Sequence, residues 1–206
     1  MHPSPAPDIE PAARGRPREF DVDAALDQAI RVFTERGYHA TSIGELTAAT
    51  GLASGSIYKA FQDKRGLFLA ALERYKSVRD AALRQAIARG TTGHERVRLA
   101  LAFYADVSHG PLGRLGCLVI SSATELGALD DEVTRWVAQA LVRIEVVLAG
   151  LLREGLADGS VPAGTDAEAT ARALLCMVQG MRLVGKTGRT RKDMRALVDI
   201  AMKMVG

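Results

Sequence analysis

The sequence predicts an all-α protein: an N-terminal three-helix domain with a helix-turn-helix, then a larger helical domain, about nine helices in all. Three observations predict it. Apolar residues recur at spacings of three and four in one segment after another. Gly, Pro and capping residues punctuate those segments. No segment alternates apolar and polar residues as a strand does. At 206 residues, 48% hydrophobic and 25% charged, the chain has the size and balance of one domain or two small ones.

Residues 1–18, rich in Pro and Ala, have no apolar period and read as a disordered arm ending in Arg14, Arg16 and Arg18. From Asp21, the residues Val22, Ala25, Leu26, Ala29, Ile30 and Phe33 form one helix face, which Gly37 ends. Ser42 and Glu45 make a capping box for a short second helix that stops at Gly51. A third spans about 54–61. A fourth starts near Lys64, carries Phe68, Ala71, Leu72, Tyr75 and Val78 on one face, and is broken by Gly90 and Gly93. Residues 94–109 are the next helix. Gly110, Pro111 and Gly113 read as a loop, and 116–127 as a helix stopped at Gly127. Asp130 or Asp131 caps a long helix whose stripe runs from Val133 to Leu151. A loop at 158–166 caps the helix over 167–186. That helix is apolar nearly all round, so it must be covered on more than one side. Met194, Leu197, Val198, Ala201, Met202 and Val205 mark the last one.

Composition excludes several classes. The net charge of +3 is too mild to require or to exclude nucleic acid. No apolar run is long enough for a transmembrane helix, and the N-terminus lacks the apolar stretch of a secretory signal. Cys117 and Cys176 form no CxxC pair, which suits a cytoplasmic protein with free thiols. His94, His109 and Glu125 have no metal-ligand spacing, so neither a metal nor a cofactor is expected. No motif points to an enzyme.

The chemistry lies at Gly51-Leu52-Ala53, a three-residue turn between two short helices. Such a turn lets the second helix project and enter a major groove. Ser54, Gly55 and Ser56 are small enough for close approach to DNA. Tyr58 and Lys59 reach phosphates or base edges, while Ile57 and Phe61 point to the core. Lys64 sits where free N–H groups at a helix start favour phosphate. Residues 1–65 hold 8 basic and 9 acidic side chains, so the charge useful to DNA is local: the arginine arm, Lys59, Lys64 and Arg65. The acids Asp21, Asp23 and Asp27 on the first helix must face elsewhere.

The stretch ALDQAIRVFTERGYHATSIGELTAATGLASGSIYKAFQDKRGLFLAAL resembles the DNA-binding domain of the TetR family of bacterial transcriptional regulators. The resemblance implies a disordered basic arm (1–18), a helix-turn-helix DNA-binding domain (19–65) and a helical effector-binding and dimerisation domain (66–206). Ser54, Gly55, Ser56, Tyr58 and Lys59 match recognition-helix positions, and Thr41, Ser42 and Lys64 match phosphate clamps. Arg16 and Arg18 match the basic arm. Ala53 stands where a capping Ser is common, so that cap is weaker. Gly44 inside the second helix costs about 1 kcal/mol against Ala.

The resemblance also implies a homodimer through 167–186 and 191–205, double-stranded operator DNA as partner and a small-molecule effector whose binding releases the operator. Phe103, Tyr104, Cys117, Ser121, Trp136, Met177 and Met181 lie on helices that wall the family's pocket. Two readings of Cys117 stay open: a buried small hydrophobe, or a thiol that senses electrophiles or oxidants at a helix start. Cys176, inside ALLCMV, reads as core. Trp136 reads as core or as pocket wall. The rival to the regulator is a helical interaction module without DNA binding, which leaves the T-G-L-A-S-G-S-I-Y-K run unexplained.

Overall fold

The computed structural model describes residues 21–125 and 130–206. The arm with Arg14, Arg16 and Arg18, and the expected stop at Gly127, lie outside those residues. Among them are ten α-helices and one short 3-10 turn at Gly185–Thr187: α1 (Val22–Arg36), α2 (Ile43–Thr50), α3 (Ser54–Phe61), α4 (Lys64–Ile87), α5 (Gly93–Asp106), α6 (Gly110–Leu115), α7 (Leu118–Ala123), α8 (Asp131–Asp158), α9 (Ala167–Val184) and α10 (Arg191–Met202).

Asp21, Ser42, Asp130 and Asp166 cap helices where the sequence predicts a start, each accepting a bond from a first-turn N–H. Thr92 and Thr190, not singled out in the sequence, cap α5 and α10 in the same way. Ser42 and Glu45 form both halves of the capping box. Residues 110–115, expected as a loop, form the short helix α6. Pro111 at its start supplies a fitting φ and lacks an N–H that would have no partner there. The helix expected over 116–127 is only α7.

Two apolar cores hold these helices. One gathers α5, the second half of α8, α9 and α10 around Leu101, Leu152, Leu174 and Val198. The other joins α1–α4 to α7 and to the first half of α8: Phe33, Leu46, Ile57 and Phe68 share a cluster with Cys117, Leu118, Val133 and Val137. The helix-turn-helix is therefore welded to α7 and α8 as well as carried by α4. Phe33 and Phe68 meet edge to face at 4.8 Å, a geometry aromatic rings favour.

α9 is buried on one side only. Cys176, expected in the core, is exposed, because it points away from the stripe of Ala171, Leu174, Val178 and Met181. The excess apolar surface of this helix faces outward.

Candidate DNA-reading and effector sites

Gly51 closes α2 in the left-handed region, at φ 69°, which a glycine adopts without steric cost. The turn to α3 follows. Ile57 is fully buried and anchors α3 to the core, a contribution of about 1.5–3 kcal/mol. With Ile57 inward, Ser54, Gly55, Tyr58 and Lys59 fall on the exposed side and Ser56 is half-buried. Ala53 offers no side-chain cap, as its residue type predicts. At the other end Gln62 adopts φ 70° and ψ −52°, with the Asp63 N–H donating to Phe61 O at 2.9 Å. This is a strained three-residue turn, and it fixes the angle between α3 and α4. No pattern in the sequence announced it.

The residues expected on phosphates divide. Ser42 is exposed at the start of α2, its hydroxyl shared with Glu45. Thr41 is buried and donates to Gly37 O at 2.6 Å, so its hydroxyl is not presented to DNA. Lys64 Nζ donates to Tyr38 O and Thr41 O, both at 3.0 Å, and lies 4.4 Å from the Tyr38 ring centroid. Two of its three N–H groups thus hold the α1–α2 loop, leaving one for a phosphate. Arg65, counted above with the charge useful to DNA, is turned away: it pairs with Asp130 at 2.6 Å and Glu132 at 2.5 Å. The Arg65 guanidinium holds the Asp130 carboxyl at about 2, so the tie persists until pH falls through that value. The acids of α1, expected to face away from DNA, are engaged within the chain. Asp21 caps, while Asp23 and Asp27 pair with Arg74 of α4.

Glu125 and Ser121 tie the two halves of the molecule. Glu125 accepts from the Tyr38 and His39 backbone N–H groups at 3.1 and 3.2 Å. Ser121 Oγ donates to Thr34 O at 3.3 Å. Ser121, expected on the effector pocket, instead grips α1. Glu125→Ala is expected to speed amide exchange at Tyr38 and His39 by about tenfold or more, since both N–H groups lose their acceptors. Unchanged exchange would show that the clamp does not hold the loop.

A cavity of about 60 Å³ opens where α4, α5, α7, α8 and α9 converge. Of the residues expected there, Phe103, Tyr104, Cys117 and Trp136 line it. Met181 is buried in the α5–α8–α9–α10 core, and Met177 packs against the same cluster, because both sit on faces of α9 turned from the cavity. Trp136, read as core or as pocket wall, packs against a core and lines the cavity, and its Nε1 donates to Glu73 at 2.5 Å. Missed by pattern reasoning were Tyr75, Lys76, Arg79 and Asp80 on α4, Arg143 on α8, and Gln179 and Arg182 on α9. One signal was available. Arg182 is the one charge between Ala173 and Val184, and a charge in so apolar a run needs a reason.

The Cys117 thiol is mostly buried and accepts from the Tyr75 hydroxyl at 3.3 Å. It caps only a six-residue helix, and no side-chain capping bond forms. These surroundings favour a packed wall residue over a sensing thiol. Burial pushes the Tyr75 and Tyr104 phenols upward, so both stay protonated donors.

Comparisons with known proteins agree with this geometry. Residues 25–71 match the family described as "Bacterial regulatory proteins, tetR family", and 93–200 match "Tetracyclin repressor-like, C-terminal domain". The HTH-type transcriptional repressor ComR of Escherichia coli is 31% identical over 93% of this chain and 92% of its own. The transcriptional regulator AcuR of Cereibacter sphaeroides is 33% identical over 84% of this chain and 82% of its own. A solved structure of the TetR family regulator CifR, a cysteine mutant with 26-bp operator DNA, superposes with a TM-score of 0.81. It is 29% identical and covers 92% of this chain and 98% of that one.

Proposed function

This chain belongs to the TetR family of bacterial transcriptional regulators, and from that premise we propose how its own residues carry out regulation. It is a dimeric DNA-binding regulator, a repressor that a small-molecule effector releases from its operator. In our reading residues 19–65 form the DNA-reading unit and 66–206 the effector and dimer unit. The protein works in the cytoplasm, at the nucleoid when bound, as a binding protein rather than a catalyst.

One observation carries the assignment of contacts: buried Ile57 forces Ser54, Gly55, Tyr58 and Lys59 onto the open face of α3. Two such helices, one per subunit, read successive major grooves of a near-palindromic site. Ser42 and the remaining Lys64 N–H take phosphates, and Arg16 and Arg18 reach the duplex from the arm. The effector enters the cavity between α4 and α9. It acts by preferring the state whose heads are spaced wrongly for DNA. The route to the heads is short, since Cys117 on the cavity wall starts α7, and Ser121 and Glu125 beyond it hold α1 and the α1–α2 loop.

The dimer face is the outward stripe of α9 (Ala169, Ala173, Cys176, Gly180 and Leu183), with Val142 and Val146 of α8 beside it. α10 contributes less. Its apolar side (Met194, Val198, Ala201 and Met202) is spent within the chain, and its ties to α5 are Arg98–Asp199 and Arg195–Asp106, at 2.8 and 2.6 Å.

A gel shift with the DNA upstream of the protein's own gene tests the reading. Retardation at low salt is expected, and failure to bind duplex would end the regulator reading. Lys59→Ala should weaken binding and lower the salt slope by roughly one per subunit. Tyr58→Ala should weaken it without that change in slope. Wild-type behaviour in both variants would remove α3 as the reading element.

A further inference from the structure

The cavity wall holds more positive charge than the chain neutralises. Arg182 is 2% exposed. Its guanidinium donates to Val107 O and Gly116 O, and among the described residues it pairs with no carboxylate. Carbonyl oxygens satisfy N–H groups, but they do not cancel a whole charge. A buried charge is costly unless a countercharge accompanies it.

Arg79 borders the same cavity, 5.4 Å from the Tyr75 ring centroid, and it too has no carboxylate partner among the described residues. The other two cations of the wall are engaged: Lys76 with Glu73 at 2.6 Å, and Arg143 with Asp80 at 3.3 Å. Tyr104 and Gln179 line the same space, and neither side chain makes a hydrogen bond among the described residues. Phe103, Val119, Ala140 and Ile144 make the rest of the wall apolar.

Taking this cavity as the effector site, as proposed above, we propose that the effector is a small carboxylate with a short apolar tail. Its anionic end faces Arg182 and Arg79, and its tail lies on the apolar wall. A carboxylate supplies the missing charge and accepts from the guanidinium N–H groups left over. The cavity is small, about 60 Å³, so the acid it takes is a short one. Arg182 also ties the signal to the anion. Gly116, which it holds, immediately precedes Cys117 and α7. An anion that draws the guanidinium loosens the start of the element that grips the DNA-reading unit.

The test uses the full-length protein at constant ionic strength set with sodium chloride. Melting without DNA and operator release are followed separately. The probes are acetate, butyrate and hexanoate, with butyramide as the neutral analogue of butyrate. Butyrate is expected to raise the melting temperature saturably and to release the operator, with butyramide about tenfold weaker or worse. Arg182→Gln is expected to abolish the butyrate effect. Arg79→Gln, a half-buried change that breaks no hydrogen bond or ion pair among the described residues and gives up only the contact with the Tyr75 ring, should keep the unliganded melting temperature within about 2–4 °C and weaken butyrate about tenfold.

Butyramide acting as well as butyrate, no response to any of the three acids, or an unaltered response in Arg79→Gln would each overturn the proposal. Loss of operator binding without any probe would count against the regulator reading alone, because the melts decide the anion question without DNA. Stabilisation by butyrate with the operator still held would support the anion site and refute its role as the release switch.

Discussion

Gly93→Ala lowers the melting temperature by about 6–12 °C, measured at fixed protein concentration. α5 starts against the last turns of α8, and a Cβ on Gly93 would stand 2.0 Å from Gly155 N, 2.4 Å from its Cα and 2.7 Å from Leu151 O. All three obstacles are backbone, so no rotamer change relieves them. The helices must separate. That movement also lengthens the bonds from the Gly93 and His94 N–H groups to Asp158 and Ser160, now 2.7 and 3.1 Å. Overpacking of this kind costs about 3 kcal/mol, and a domain of this size loses about 2–4 °C per kcal/mol. Alanine's better helix propensity, at most about 1 kcal/mol, does not offset it. Gly44→Ala is the control: its new methyl group meets only Ser42 Oγ at 3.8 Å, and it should raise the melting temperature by about 2–4 °C. Equal melting of wild type and Gly93→Ala would refute the close crossing.

Gly180→Arg yields a folded monomer whose operator affinity is lower by roughly 10²–10⁴. In the single subunit a Cβ on Gly180 meets nothing within 4 Å, and arginine is the better helix former. The substitution therefore leaves the chain's own packing intact. In the dimer it places a charge at the middle of the stripe formed by Ala173, Cys176 and Leu183, where the second copy would desolvate it. The lost affinity reflects the second head, which binds as an intramolecular partner only while the subunits stay joined. Sedimentation reads the oligomer and a gel shift reads the DNA. A dimer with wild-type affinity would place the interface elsewhere. A monomer with wild-type affinity would show that one head suffices.

Much of the fold was legible because helix signals are local. A residue three or four places away lies on the same face, so the stripe of α1, the Ser42–Glu45 box and the Gly51 turn are written within a few positions of each other. The recognition helix was legible for the same reason: a fully buried Ile57 fixes which neighbours face out. The sites were harder. Phe103, Tyr104, Cys117 and Trp136 share the cavity, while Ser121, Met177 and Met181 sit on the same helices and turn elsewhere. Choosing between those faces requires the rotation of each helix about its axis, which packing sets. Thr41 was misjudged similarly, since its hydroxyl is closed off by the loop that Lys64 holds.

The sequence by itself determined an all-α chain, most of its helix starts, its helix-turn-helix and its family. Gly93 shows where that reach ends. As a break after α4 it was plain, yet its deeper role is to let α5 touch the backbone of Gly155. Tertiary structure alone decided that contact, the hold of Glu125 on Tyr38 and His39 from 86 to 87 positions away, and the burial of Arg182 beside carbonyls 66 and 75 positions away. The physical reason is common to all three. Helix formation is governed by interactions within a turn or two, whereas the angle and depth at which helices cross depend on how all their side chains fill the shared interior.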